Sequence, residues 1–173
     1  INVSNAILSV ILEHNITDLI LGLHKEKGIS TSFFGRITEG IIGHGDVTTF
    51  IYKPTQPLST MKRHLIIIPP HAEKEAGFTQ WVEKIGHVVQ NTGSKTVFYG
   101  TEETLSRLKS LLNKHSLEAE YTLFTDWDDF LIVFRDVQKN DILWIILSRN
   151  QGVSFHSGMN RIPRSYDRSI FRI

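Results

Sequence analysis

Apolar positions along the first third of the chain follow two spacings, one typical of helices and one of buried strands. Residues 1–14 predict an amphipathic helix that packs through one stripe, made of Val3, Ala6, Ile7, Val10 and Ile11. A compact apolar run follows at 16–23, helical spacing returns over 31–43, and 47–53 is a β-branched stretch. The predicted order is therefore helix, strand, helix, strand.

The rest of the chain repeats this alternation after a break. Residues 54–60 contain two prolines among small polar side chains, which indicates a linker. Strands are predicted beyond it at 63–70, 94–100, 118–124 and 141–148. Helices are predicted at 73–93, 101–115 and 126–138. Strands that alternate with helices at this spacing imply a parallel sheet covered on both faces, so the predicted fold class is three-layer α/β.

Composition excludes several classes of protein. With 173 residues, 40% hydrophobic and 21% charged, the chain can bury one ordinary core or two small ones. A net charge of +1 gives no case for nucleic acid, and eight scattered histidines suggest no metal site. The chain has no cysteine, which suits a reducing cytoplasm. Its longest apolar runs fall short of the roughly 20 residues that a membrane helix needs.

Short polar motifs have a structural explanation that we prefer to a catalytic one. The acids at 126, 128 and 129 suit a helix start, with Thr125 or Asp126 as the cap, better than a cation site. His71, Glu73 and Glu75 suit a turn that enters a helix. The tryptophans at 81, 127 and 144 fall within helix or strand patterns, where packing is the default role. No spacing of serine, histidine and acid indicates a catalytic triad, and we predict that the chain is not an enzyme.

The last 25 residues are basic. Four of their arginines are spaced as one face of a helix: Arg161, Arg164, Arg168 and Arg172. Such a face could meet anionic lipid or another anion, although a solvated helix end is the simpler interpretation.

A resemblance to a known family extends over essentially the whole chain. The strand at 16–23, the glycine-containing loop after it, the helix at 31–43 and the strand at 47–53 resemble the final third of a universal stress protein domain. The segments 16–28, 32–41, 51–58 and 124–132 together more specifically resemble the tandem stress-protein-like region at the cytoplasmic C-terminus of bacterial cation:proton antiporters of the sodium/hydrogen exchanger type. The implied fold is universal stress protein-like, also described as adenine nucleotide alpha hydrolase-like.

The resemblance implies a domain organisation. Residues 1–53 would be the C-terminal part of a first stress-protein-like domain, 54–60 a linker, and 61–173 a second domain whose last strand lies beyond Ile173. The chain starts at Ile1 within an organised helical pattern, which predicts a segment of a longer polypeptide. Stress-protein domains commonly pair through their last strands, so 47–53 is the expected edge for homodimerisation or for pairing of the two domains.

The same resemblance places a nucleotide-binding loop between Gly22 and Arg36. Family members have Gly, two residues, Gly, nine residues, Gly and then Ser or Thr, and Gly22 and Gly35 fall on the first and third glycines. Lys25 stands at the second glycine, with Gly28 nearby, and Arg36 replaces the hydroxyl residue. Because a side chain at a close-approach position fills the space that a phosphate needs, a structural turn is expected here rather than an ATP site.

The residues expected around the adenine in such a site also depart from the family pattern. In the second domain Pro70 stands where the family has an aspartate, and the loop at 148–158 lacks the glycine spacing. No cofactor is therefore expected. The leading hypothesis is a non-catalytic regulatory or assembly domain of a cation:proton antiporter, on the cytoplasmic side of the inner membrane, whose partner is the transport domain of the same polypeptide. The alternatives are a stress protein that binds ATP, AMP or a cyclic dinucleotide, and an enzyme on the same scaffold.

Overall fold

In the computed structural model, which describes residues 2–22, 40–43, 47–53, 55–161 and 170–172, seven strands form one sheet. The strands are β1 (Asp18–Gly22), β2 (Thr48–Lys53), β3 (Arg63–Ile67), β4 (Lys95–Gly100), β5 (Ala119–Leu123), β6 (Asp141–Ile145) and β7 (Ile170–Arg172). The α-helices with both ends described are α1 (Val3–Glu13), α2 (Phe78–Thr92), α3 (Glu102–Leu112) and α4 (Phe130–Arg135). Residues 40–43 are also helical.

The sheet has the order β1-β2-β7-β6-β3-β4-β5. All neighbouring strands are parallel except β2 and β7, which run antiparallel. The five strands from β3 onward therefore form one parallel unit, and β1 and β2 form another. Counted in chain order, the larger unit reads 3-2-1-4-5 across the sheet. This is the doubly wound arrangement, in which the chain moves outward in one direction and then in the other.

Strand β2 joins the two units, because it pairs with β1 on one side and with β7 on the other. In this arrangement β2 is an interior strand whose two sides are both paired within the chain, and homodimerisation through it stays a prediction. Ile51 and Tyr52 lie opposite Arg172 and Phe171 of β7. The two predicted segments share one sheet through this short ladder.

Alternate side chains of the central strands pack on opposite faces of the sheet. On one face Ile66, Phe98 and Trp144 pack against α2 and α3, for example against Ile85 and Leu108. On the other face the core cluster combines strand residues with residues of the 124–137 segment: Leu65, Ile67, Val97, Leu143, Ile145, Trp127, Phe130 and Val133. The apolar runs of β3 and β6 are fully buried because helices or loops cover both faces. The three-layer α/β class predicted from the sequence is confirmed.

Local signals set the ends of the helices. The Thr101 hydroxyl accepts a hydrogen bond from the Thr104 amide at 3.2 Å and caps α3, as its sequence predicts. Gly93 closes α2 in the left-handed region at φ 62°, and its amide donates to Val89. Helix α2 starts at Phe78 rather than at Glu73, because residues 72–74 form a separate 3-10 turn.

Helix α1 forms as predicted, but a different face of it packs. Ser4, Ile7 and Ile11 are buried or half-buried, whereas Val3 and Val10 of the predicted stripe are 49% and 50% exposed. Ser4 lies against the helical segment 40–43, where a Cβ on Gly40 would be 2.8 Å from its hydroxyl oxygen. A small residue is needed at this approach, which turns the apolar stripe partly toward solvent.

The predicted basic helix at the C-terminus is wrong in its last part. Residues 170–172 form β7 between β2 and β6, and Arg161 ends a 3-10 turn, while Arg164 and Arg168 lie outside the described residues. Pairing with two neighbouring strands has overridden the helical spacing of the arginines. Among the described residues, no helix has the length and apolar character needed to cross a membrane.

Candidate ligand site at the carboxyl edge of the sheet

The strand order defines where a ligand would bind in this fold. The chain leaves β3 toward β4 on one side and leaves β6 toward β7 on the other, so the order reverses between β3 and β6. In open α/β sheets the crevice beyond the carboxyl ends of such strands is the usual ligand position. Here two loops border it, residues 68–77 after β3 and residues 146–156 after β6.

A carboxylate of the protein itself occupies the junction of these two loops. Oε1 of Glu75 accepts hydrogen bonds from the Ser154 amide at 2.8 Å and from the Ser154 hydroxyl at 2.7 Å. It also accepts one from the Ser148 hydroxyl at 2.9 Å. Three donors of the β6 loop therefore converge on one anionic oxygen. A backbone amide and hydroxyls in a loop after a strand are the kind of donors that hold a phosphate oxygen in nucleotide-binding members of such folds.

The electrostatics of Glu75 favour its ionised form. Partial burial would raise the pKa of its carboxyl group, but the hydrogen bonds from Ser154 and Ser148 outweigh that effect. The net result is a pKa below the ordinary value, so the group is a carboxylate at neutral pH.

Gly152 makes the close approach possible. A Cβ at this position would lie 1.9 Å from the Ser148 hydroxyl oxygen and 2.6 Å from Oε1 of Glu75. The loop is further closed by a hydrogen bond of 2.8 Å from the Gly152 amide to the Arg149 carbonyl. Gly152 thus leaves room for the Glu75 carboxylate. Ser148 and Ser154 both donate their hydrogen bonds to that carboxylate.

The β3 loop is anchored on its other side as well. Oε2 of Glu73 accepts a hydrogen bond of 2.6 Å from the hydroxyl of Thr104, which is fully buried at the start of α3. His71 adopts a left-handed conformation at φ 67° and precedes the 3-10 turn Ala72–Lys74. The expectation that His71, Glu73 and Glu75 form a turn is confirmed, and both glutamates fix that turn to neighbouring elements.

The structure places few of the residues of the predicted nucleotide-binding loop. Gly22 is the last residue of β1, opposite Tyr52 of β2. Lys25, Gly28, Gly35 and Arg36 lie outside the described residues, so the interpretation of this loop as a structural turn stays a prediction. Arg149 donates to the Val47 carbonyl at 3.2 Å and so links the β6 loop to the start of β2.

Two further expectations from the sequence are confirmed. The Asp126 carboxylate accepts a hydrogen bond of 2.9 Å from the Asp128 amide and caps the turn Trp127–Asp129. Trp81, Trp127 and Trp144 are buried in the two core clusters.

The fold also brings together potential metal-ligand side chains that are scattered along the sequence. Glu83 and His87 lie on α2, and His115 follows α3; one donor atom from each lies within 4.8 Å of the other two. The signal available in the sequence was the spacing of Glu83 and His87, four residues apart on a helix. The contribution of His115 depends on the packing of α3 against α2 and could not be read from spacing.

Comparisons with known proteins add no family assignment. No protein-family model matches the chain, and no curated protein matches it. The class of protein defined by the fold is therefore α/β with a doubly wound parallel unit.

Removing the internal carboxylate is expected to destabilise the carboxyl edge. In Glu75→Ala the three donors lose a charged acceptor, so the free energy of unfolding should fall by about 1–2 kcal/mol. Urea denaturation at neutral pH measures this, with Glu13→Ala at the exposed end of α1 as the control, expected within about 0.5 kcal/mol of the parent. Equal stability of Glu75→Ala and the control would contradict a structural role for Glu75.

Proposed function

We propose that the chain is a non-catalytic regulatory or assembly domain of a bacterial cation:proton antiporter, with a stress-protein-like fold and a degenerate nucleotide-binding site. It would work on the cytoplasmic side of the inner membrane, attached to the transport domain of the same polypeptide. The observation that carries the proposal is the position of Glu75, whose carboxylate takes the donors of the β6 loop at the switch point.

The electrostatics of that position disfavour a nucleotide. A phosphate brought to the Ser148 and Ser154 donors would have to displace an ionised carboxylate or lie beside it, and two anions at close range repel each other. The loop after β3 contains Pro69 and Pro70, and no carboxylate stands directly at the strand end, where the family resemblance implies an aspartate for the adenosine. The proposal is therefore a stress-protein-like fold without a bound nucleotide.

The sheet supports the assembly part of the proposal. Antiparallel pairing of β2 with β7 joins the segment at 48–53 to the larger unit, in line with the pairing of stress-protein-like domains through their last strands. On the far side of β2, β1 pairs with no second strand among the described residues, and its Ile20 is 71% exposed. An exposed apolar edge of this kind favours pairing with another segment.

The alternative is a stress protein that holds ATP, AMP or a cyclic dinucleotide. Its support is the family resemblance of the loop between Gly22 and Arg36, with two glycines in matching positions. Lys25 and Arg36 could pair with phosphate oxygens in that loop, although they replace the small residues that the family uses. The two hypotheses differ in whether the purified chain binds adenine nucleotides.

Calorimetry with ATP, AMP and cyclic di-AMP separates them. The expected result is no saturable binding at moderate salt and at most weak association at low salt, because only the cations would attract the phosphates. Glu75→Ala removes the competing charge at the β6 loop, and its matched control Glu13→Ala leaves that loop intact. Saturable, salt-resistant binding of one of these nucleotides to the unmodified chain would contradict the proposal and favour the stress-protein alternative.

The link to a transporter has its own test, which is the sequence of the complete gene. About a dozen apolar spans upstream of the segment would agree with the antiporter hypothesis. A short gene that encodes a full first stress-protein domain, without such spans, would contradict it.

A further inference from the structure

Three potential metal ligands lie together on the helical face of the sheet that carries α2 and α3. Glu83 and His87 are one helical turn apart on α2, so their side chains project from the same side of the helix. His115 comes three residues after the end of α3, and its ring packs edge-on against the His87 ring with centroids 5.0 Å apart. The cluster lies outside the carboxyl-edge loops that hold Glu75.

His115 is the buried member, and one of its nitrogens has no hydrogen-bond partner. Its side chain is only 4% exposed, and Nε2 is a buried atom without a hydrogen bond. A buried polar atom left in this state costs free energy, so a native protein normally supplies a partner for it. Oε2 of Glu83 lies 3.6 Å away, which is beyond hydrogen-bond distance.

The other nitrogen of His115 fixes the tautomer. Nδ1 lies 3.0 Å from Oε1 of Gln90, and a carbonyl oxygen can only accept, so Nδ1 carries the hydrogen in this contact. In the neutral ring Nε2 then has a free lone pair directed toward Glu83 and His87. A histidine whose second nitrogen donates to an oxygen is the usual arrangement of a metal ligand.

Glu83 supplies an anionic oxygen. Its Oε1 lies 2.7 Å from Nζ of Lys114, and this hydrogen bond holds the pKa of the carboxyl group below its ordinary value. Oε2, the atom on the side of His115, remains for a second interaction. Lys114 can therefore keep its contact while Glu83 binds a cation through its other oxygen.

A glycine brings the two helices close enough for this geometry. A Cβ on Gly86 would lie 2.8 Å from Cδ2 of Leu112 and 3.1 Å from Nε2 of His115. A side chain at this turn of α2 would crowd Leu112 and the His115 ring.

We propose that Glu83, His87 and His115 bind a single zinc ion, with Gln90 as the residue that orients His115. Two imidazole nitrogens and one carboxylate oxygen are a ligand set that zinc accepts and that magnesium and calcium do not favour. Donor atoms of a tetrahedral zinc site lie about 3.3 Å apart, given bonds of about 2.0–2.1 Å. The separations within 4.8 Å seen here require only small rotations of side chains, and the His87 side chain is exposed. Three protein ligands leave the fourth position to water.

Titration of zinc into the full chain, in a non-chelating buffer and without a histidine tag, tests the site. The expected result is binding of one ion per chain and a rise in the midpoint of thermal unfolding, because the ion binds only the folded state. His87→Ala should weaken binding by at least about tenfold, and Gln90→Leu by about tenfold. His71→Ala, which removes an exposed histidine elsewhere, is the matched control and should bind zinc like the parent.

Spectroscopy identifies the ligands independently of stability. Cobalt bound at the site should give the strong visible bands of tetrahedral nitrogen and oxygen coordination, and zinc should shift the ring proton signals of His87 and His115 together. His87 is exposed, so His87→Ala should keep the fold, which circular dichroism checks. Absence of stoichiometric zinc binding, or equal affinity of His87→Ala and His71→Ala, would overturn the proposal. So would a His115 ring signal that zinc does not shift.

Discussion

Replacing Arg63 by methionine is expected to lower the free energy of unfolding by about 3 kcal/mol, because it leaves a buried carboxylate without its cation. Asp141 at the start of β6 has a side chain only 4% exposed. Arg63 on β3 holds it with two hydrogen bonds, from Nη2 to Oδ2 at 2.6 Å and from Nε to Oδ1 at 3.1 Å. The Gln138 amide donates the remaining bond at 2.7 Å. Methionine keeps the apolar length of the side chain and removes the charge.

The neighbouring strand offers a matched control. Lys95 lies opposite Arg63 in the register of β3 and β4, and it pairs with Glu118 at 3.3 Å on the surface, where the two side chains are 62% and 69% exposed. Lys95→Met should cost less than about 1 kcal/mol, because water screens an exposed pair. Urea denaturation of both variants gives the comparison. Similar losses in the two variants would mean that burial of Asp141 is not what makes the Arg63 contact matter.

Mild acid is expected to destabilise the fold through one core histidine. His64 on β3 is fully buried, and its Nδ1 accepts a hydrogen bond of 2.9 Å from the Trp144 indole. Because an indole nitrogen only donates, Nδ1 carries no hydrogen, and Nε2 donates to the Thr92 hydroxyl at 2.9 Å. A second proton on this ring would face the Trp144 donor. Burial lowers the pKa of His64 to about 4.

The direction of the pH effect follows from this shift. The folded chain binds the proton more weakly than the unfolded chain, whose histidine has a pKa of about 6.5, so stability is full above that value. The free energy of unfolding should fall as the pH drops from about 6.5 toward 4. Between pH 7 and pH 5 the expected loss from His64 is about 2 kcal/mol.

Denaturation of the parent and of His64→Leu at both pH values isolates this residue, since the other histidines are common to the two chains. His64→Leu should be less stable at pH 7, because the Trp144 indole loses its acceptor, but its stability should depend less on pH by about 2 kcal/mol. An equal pH dependence in the two proteins would show that His64 is not the titrating group.

The hydrophobic pattern predicted most of the fold because the central strands β3 and β6 are strongly apolar. β3 and β6 are continuous runs that satisfy a strand buried on both faces, and the helices between them carry capping residues such as Thr101 and Gly93. The predictions were wrong where contacts between distant residues determine the secondary structure. The arginine spacing near Arg172 satisfies a helix, yet β7 forms there because β2 and β6 both offer it backbone partners.

The candidate sites depend even more on contacts between distant residues. Glu75 meets Ser154 across 79 positions of the chain, and no local pattern reports such a pair. The proline at position 70 and the missing glycine spacing led to the expectation that no nucleotide is held in the usual way, which stays a prediction. The same residues could not reveal that the Glu75 carboxylate accepts the donors of the β6 loop. Nor could they reveal that Gly86 would bring His115 to Glu83.

The central position of β7 has a consequence for how the polypeptide reaches this fold as it leaves the ribosome. Strands β3 to β6 can pair among themselves before β7 is made. Strand β2 meets its second partner, β7, only when residues 170–172 emerge, more than a hundred residues later. Until then β1 is the neighbouring strand that the described residues offer to β2, and a two-stranded pair is marginal in water by itself. Nascent β2 therefore has one unpaired side until β7 is made, and its β-branched and aromatic residues form a segment to which a chaperone could bind in that interval.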